Sequence, residues 1–299
     1  MGGGSWTYTS YNNYTTKSRG VTADTFATSN YTVQEMYTSK HLAPELNPKN
    51  VMRECCDSDE HPHTLPVILA LDVTGSMGDA SVKVAKKLNE IMTELYADKN
   101  IHDIEFCIMG IGDLAYDNAP IQMSQFESDT RIAEQLDKIY FEAGGGGNKY
   151  ESYTAAWYMG LNHSKLDCWD RGQKGIIITL GDEGPNPYLP KRGLEEATGD
   201  KLQSDIETKS LYQEVIKKYD IYHIAVNDIS SSYTYHQSHY DIDDQWRDLL
   251  GDNYYVATLD NLASTIIDII KNRENSFMPT SAISSAPNFS VNENNEVVW

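Results

Sequence analysis

Basic residues are scarce in this chain of 299 residues: 24 Lys and Arg stand against 44 Asp and Glu, a formal net charge of −20. So few cations cannot neutralise a phosphate backbone, which excludes a general DNA or RNA binder. The same charge favours solubility, metal ions and basic partners. Long apolar runs are missing too: none approaches the ~20 residues of a membrane-spanning helix. The Gly-, Ser- and Tyr-rich start lacks the pattern of a secretory leader. Met1-Gly2-Gly3-Gly4-Ser5 matches a myristoylation signal only in part, because its hydroxyl comes one place early. Cysteine is thin, with four residues. Cys107 sits in an apolar run, and Cys55 and Cys56 are adjacent and poorly placed to pair. A disulfide framework is therefore excluded, and a reducing cytoplasm is the expected compartment.

What is present is an alternation of strand and helix patterns. Residues 1–63, rich in Tyr, Thr, Ser and Asn, show no sustained period beyond short helix-like pieces such as Val33 to Ser39. They read as an extended N-terminal arm lying over a domain at 64–272. Val67 to Leu71 is a continuous apolar run, as in a parallel strand covered on both faces. Asp79 to Ala97 repeats apolar residues at helical spacing. Strands follow at Ile104 to Ile111 and, as a short edge strand, Pro120 to Phe126. Asp129 caps a helix carrying Ile132, Leu136 and Ile139. Helices at Glu151 to Leu161 and Leu202 to Tyr219 flank a strand at Gly175 to Leu180. Strands at Ile221 to Val226 and Tyr254 to Thr258 surround a short helix near Trp246, and Leu262 to Ile270 is a last helix. Residues 273–299 read as a flexible C-terminal tail. The alternation predicts an α/β fold: a doubly wound, mostly parallel six-stranded sheet with helices on both faces. Ligands of such sheets bind beyond the strand C-termini, at the topological switch point.

Two strand ends carry carboxylates. Leu65-Pro-Val-Ile-Leu-Ala-Leu-Asp72-Val-Thr74-Gly-Ser76 delivers Asp72, Thr74 and Ser76 to one loop ahead of a helix. All three offer oxygen and none nitrogen or sulfur, the donor set of Mg²⁺, Mn²⁺ or Ca²⁺. The plainer reading is a helix cap made by Ser76 or Asp79. Thr179-Leu-Gly-Asp182-Glu183-Gly-Pro185 ends another apolar strand in the same way. Asp182 is a second candidate ligand or a turn former, and Glu183 a group behind the ligands or a solvated neighbour. The loop Gly144-Gly-Gly-Gly147-Asn148-Lys-Tyr-Glu151 is able to bring Asn148 or Glu151 to the ion. It lacks the Gly-Lys-Ser/Thr of a P-loop. Asp113 follows the second strand and either orients the site through water or caps a turn.

These motifs, in this order and on these elements, resemble a von Willebrand factor A domain over about residues 64–272. The resemblance implies a metal-ion-dependent adhesion site. Thr74 stands where the family's Asp-x-Ser-x-Ser has serine and keeps the hydroxyl. The third loop lacks the family's threonine and is closer to a Gly-Gly-Gly-Asp-x-Pro-Glu version. Gly2-Gly-Gly-Ser-Trp6, Asp57-Ser-Asp-Glu-His-Pro62 and Gln125-Phe-Glu-Ser-Asp-Thr-Arg131 further resemble bacterial and phage-encoded members. That narrower likeness implies an intracellular protein of a bacterial cell, phage-encoded or virion-associated as alternatives. It also implies a MoxR-type AAA+ ATPase as partner.

The leading expectation is a metal-dependent protein-interaction module, not an enzyme, that takes a partner's carboxylate through a divalent cation. One alternative is a structural or assembly component of a phage or bacterial complex. Another is a metal-dependent phosphoesterase, for which Glu151 and Glu183 are the only candidate bases. The valine inside Asp72-Val-Thr74-Gly-Ser76 breaks the aspartic-protease motif, and no Gly-x-Ser-x-Gly elbow is present. Cys55 to His63 mixes thiolate, imidazole and carboxylate at no zinc spacing and reads as an acidic linker. His223 reads as a core histidine.

Overall fold

The computed structural model describes residues 4–20, 22, 41–75, 87, 90–98, 101, 103–141, 150–227, 235–277, 290–291 and 297–298. Fourteen strands lie among them: β1 Arg53–Cys55, β2 Leu65–Asp72, β3 Ile104–Ile111, β4 Ile121–Met123, β5 Tyr150–Glu151, β6 Ser164–Leu166, β7 Gly175–Gly181, β8 Gly184–Pro185, β9 Tyr188–Leu189, β10 Ile206–Glu207, β11 Tyr219–Val226, β12 Tyr254–Ala257, β13 Ser290–Val291 and β14 Val297–Val298. Six of them form the central sheet in the order β12-β11-β7-β2-β3-β4. Every pairing is parallel except β3 with the edge strand β4. Numbered in chain order within the sheet, this is the 3-2-1-4-5-6 arrangement, whose order reverses between β2 and β7.

The central strands form where the chain is continuously apolar and β-branched, because both of their faces are covered. Every residue of β2, β3 and β7 is buried. Alternation divides their side chains between two layers. Val67, Leu69 and Leu71 join the layer holding the helix at 90–97 and Leu262–Phe277. Ile68 and Ala70 join the layer of the helices Ala155–Asn162, Thr208–Val215 and Tyr235–Leu250. Asp72 falls on the second face by the same parity.

Parts of residues 1–63 pack into the first layer. Tyr8–Arg19 is a helix opened by a Thr7–Ser10 capping box and closed by Gly20 at φ 68°. Trp6 and Tyr11 are buried in the core. The Gly4 carbonyl accepts from Ser128 Oγ, and His61 Nε2 lies 3.1 Å from it. β1 pairs with β6 in a small parallel ladder. The expected helix piece at Val33 to Ser39 lies outside the described residues.

The sheet strands lie where the apolar runs place them, with β4 at the edge. Three helices are shorter than expected. The one expected to carry Ile139 ends at Leu136. The one drawn from Glu151 starts at Ala155, because Tyr150 and Glu151 pair instead with Gly184 and Pro185. The one drawn from Leu202 starts at Thr208, because Ile206 and Glu207 form an antiparallel pair with β9. The charged helix Lys191–Thr198 was not expected at all. Among the described residues, no helix is long and apolar enough to cross a membrane.

Candidate metal centre

The switch point between β2 and β7 is where the two carboxylate-bearing strand ends meet. Their ladder runs to Leu71 opposite Leu180, so Asp72 and Gly181 are the next positions on each strand. Asp72 is fully buried. Its Oδ1 accepts from the Thr74 amide at 2.8 Å and from the Thr74 hydroxyl at 2.6 Å. A hydroxyl that spends its proton on a carboxylate turns its lone pairs away from it, so Asp72 orients Thr74 as an oxygen donor. Asp72 Oδ2 accepts from the Tyr153 hydroxyl at 2.6 Å.

Two further acidic segments converge here. Glu151, on β5, is 6% exposed, and its Oε2 is buried with no hydrogen-bond partner among the described residues. Burial pushes its carboxyl well above the usual range, and the charges of Asp72, Asp113, Asp117 and Glu183 push it further. Burial and then Asp182 raise Asp72 in the same way. Asp113 builds the turn after β3: its Oδ1 accepts from the Ala115 amide at 2.7 Å, and its own amide donates to Asp117 Oδ2 at 2.7 Å. Gly112 packs its carbonyl against the Ser152 amide, so this turn is docked on the Glu151 loop.

The expected residues therefore divide. Asp72, Thr74, Glu151, Asp182 and Glu183 are brought to one end of the sheet, with Asp113 beside them. Ser76 and Asn148 lie outside the described residues. Among the described residues, no three His, Cys, Asp or Glu side chains are gathered closely enough to hold an ion by themselves. The donors fit a hard divalent cation in kind. They are all oxygens, several carboxylates stand together, and one buried carboxylate oxygen lacks a partner among the described residues.

Sequence reasoning missed the aromatic floor of this centre. Tyr153 is fully buried, with His223 at 5.2 Å and Trp246 at 5.9 Å between ring centroids. Trp246 stacks on His223 at 3.8 Å and donates its Nε1–H to the Glu183 carbonyl at 3.0 Å. His223 is a core residue, as expected. Thr179 Oγ1 lies 2.8 Å from its Nδ1, and burial lowers its pKa to about 3. Asn186 ties the β8 loop to the start of the helix Ala155–Asn162 by donating to Thr154 Oγ1 at 2.8 Å. Nothing local in the sequence marks Tyr153, whose partners come from β2 and from the turn after β7. Beside the centre, a cavity of about 320 Å³ opens between Tyr150, Pro185, Pro187, Thr208, Gln245 and Leu249.

No protein-family model matches the chain, and no curated protein sequence does. Solved structures do. The pilus adhesin SpaC of Lactobacillus rhamnosus GG, in its open conformation, superposes with a TM-score of 0.51 at 14% identity. That match covers 77% of this chain and 31% of the adhesin. The fold is von Willebrand A-like. The vWF domain of the type V pili tip protein Mfa5 from Porphyromonas gingivalis matches 72% of this chain and 97% of its own at 11% identity and a TM-score of 0.42. The conserved hypothetical protein BatB from Bacteroides thetaiotaomicron matches 71% of this chain and 99% of its own at 12% identity and a TM-score of 0.40. The last two scores are too low to carry weight. The likeness concerns the von Willebrand A-like fold alone, and this chain spans under a third of the SpaC adhesin.

Proposed function

We propose that this chain is a metal-dependent protein-interaction module that binds a carboxylate of a protein partner through a divalent cation at the β2–β7 switch point. The observation that carries the reading is Glu151. A buried carboxylate oxygen with no partner faces like charges from Asp72, Asp113, Asp117 and Glu183. Such a carboxyl keeps its proton when no cation is present, and a bound cation would take the proton's place. Asp72, Thr74, Asp182 and Glu151 would hold Mg²⁺, Mn²⁺ or Ca²⁺, with Ser76 and Asn148 as further oxygen donors. The bound cation supplies an electrophilic coordination position for a carboxylate oxygen. This chain's residues do the rest. Asp72 turns the Thr74 hydroxyl outward, Glu151 contributes charge, and the buried aromatic floor excludes water from behind the site.

Binding is favoured over turnover by the setting of the candidate bases. Glu151 is buried among carboxylates, and the Glu183 backbone is held on both sides by aromatic side chains. The cavity lined by Tyr150, Pro185 and Leu249 offers room for the residue that flanks the partner's carboxylate. The family resemblance supports a MoxR-type AAA+ ATPase as that partner in a bacterial cytoplasm, in a cellular or phage-encoded setting. Calorimetry with Mg²⁺ on the wild type and Asp72→Ala tests the metal. Equal affinity in the two proteins would refute the reading. Affinity capture with the same pair of baits tests the partner, which should be lost with Asp72→Ala.

A further inference from the structure

Tyr153 offers no ligand to the proposed ion, yet it touches both strand-end loops. A tyrosine hydroxyl has one proton to give and lone pairs to receive with. Here the proton goes to Asp72 Oδ2 at 2.6 Å, and the oxygen lies 3.3 Å from the Glu183 amide, which donates to it. The Glu183 backbone is thus gripped on both sides, its N–H by Tyr153 and its carbonyl by Trp246. The Asp72 carboxylate is gripped at both oxygens, Oδ1 by Thr74 and Oδ2 by Tyr153. It cannot rotate without breaking one of these bonds. The fit depends on the residue that faces the hydroxyl: a Cβ on Gly181 would stand 2.0 Å from the Tyr153 oxygen.

We propose that Tyr153 is the positioning residue of this centre: its hydroxyl fastens the Asp72 loop to the Glu183 loop and sets the direction in which Asp72 and Thr74 present oxygen to a cation. The fastening stands on the geometry alone, and its consequence for the cation rests on the metal-dependent reading above. Groups that orient metal ligands typically change metal affinity by ~10- to 100-fold when removed.

The test compares the wild type with Tyr153→Phe, which keeps the ring in its place beside the stacked His223 and Trp246 and removes only the hydroxyl. Tyr219→Phe is the control: Tyr219 is equally buried in the same layer, and its hydroxyl donates to the Gly160 carbonyl at 2.9 Å, away from the site. Amide hydrogen exchange is followed without added ion, and Mg²⁺ binding by calorimetry. Tyr153→Phe should speed exchange at the Glu183 amide, leave β2 and β7 protected, and weaken Mg²⁺ binding about 10-fold. Tyr219→Phe should change neither Glu183 exchange nor Mg²⁺ affinity. Unchanged exchange at Glu183 overturns the fastening. Changed exchange with unchanged Mg²⁺ affinity overturns the positioning role. A wild-type protein that takes up no Mg²⁺ sinks the metal reading instead, and the Glu183 amide then decides the fastening by itself.

Discussion

Gly181→Ala is the sharpest single perturbation of this molecule. A Cβ at that position would lie 2.0 Å from the Tyr153 oxygen and 2.2 Å from its Cζ. The ring cannot swing out to solvent, because it is fully buried with His223 and Trp246 close to it. Forcing it aside is overpacking, which costs about 1–3 kcal/mol. The displacement also breaks the bond to the Asp72 carboxylate, and a hydrogen bond to a charged group contributes about 1.5–3 kcal/mol. Gly181→Ala should therefore destabilise by about 3–6 kcal/mol, a large part of a typical total of about 5–15 kcal/mol. Tyr153→Ala by itself should cost about 3–5 kcal/mol through the cavity it leaves. With the ring gone, the alanine at 181 meets open space, so the double variant should cost little more than Tyr153→Ala. Guanidinium unfolding of the four proteins closes the cycle, with an expected coupling of at least ~2 kcal/mol. Additivity within about 0.5 kcal/mol would refute the packing argument.

Three other outcomes follow from the same structure. Asp72→Asn removes repulsion with Asp182 and Glu151 but sets an amide NH2 against the Tyr153 or Thr74 donors, so stability without metal should fall by about 1–3 kcal/mol while Mg²⁺ binding is abolished, read by melting and calorimetry together. Glu105 on β3, with Cys55, His61 and Glu127 around it, is pushed up to about 7 by burial. The folded state then keeps a proton that the unfolded chain has lost between about pH 4.5 and 7, so this group's contribution to stability is greatest at low pH and falls as pH rises through 7. Glu105→Gln should flatten that slope and be more stable than the wild type by about 2–3 kcal/mol at pH 8, with little difference at pH 4; a parallel pH profile in urea melts would contradict it. Arg273, whose guanidinium reaches Asp220 Oδ2 at 3.1 Å and the Lys174 carbonyl, pins the helix Leu262–Phe277 to the sheet. Arg273→Ala should cost about 1–3 kcal/mol in denaturant unfolding, because the bond to the half-buried Asp220 is lost while Lys174 stays 3.5 Å from that carboxylate.

The central sheet was legible because its strands announce themselves locally. Val67 to Leu71 and Ile176 to Leu180 are runs of β-branched and apolar residues, and Ile104 to Ile111 is one broken only by Glu105 and Gly110, as a strand covered on both faces wants. The position of Asp72 at the switch point followed from the same runs. Short pairings were hidden, since β5 exists only because Gly184 and Pro185 lie beside Tyr150 and Glu151, more than thirty residues away in the chain. Helical spacing at Glu151 to Leu161 was genuine, but tertiary pairing took its first residues. Lys191–Thr198 escaped because its surface is charged and only Leu194 and Thr198 are buried. Tyr153 escaped for a different reason: its role depends on the missing side chain of Gly181, and a glycine next to Asp182 reads equally well as a turn.

The packing of the first twenty residues has a consequence in time. Gly4 meets Ser128 across 124 positions and Tyr14 meets Asp137 across 123. At synthesis rates of about 5–20 residues per second, the surface that receives Trp6 and Tyr11 follows them by on the order of 10 s. A segment made more than a hundred residues ahead of its partners thus waits for them. Until the Arg131–Leu136 helix is made, its aromatic side chains wait beside the ribosome, and newly made chains are most exposed to chaperones and to one another during that interval.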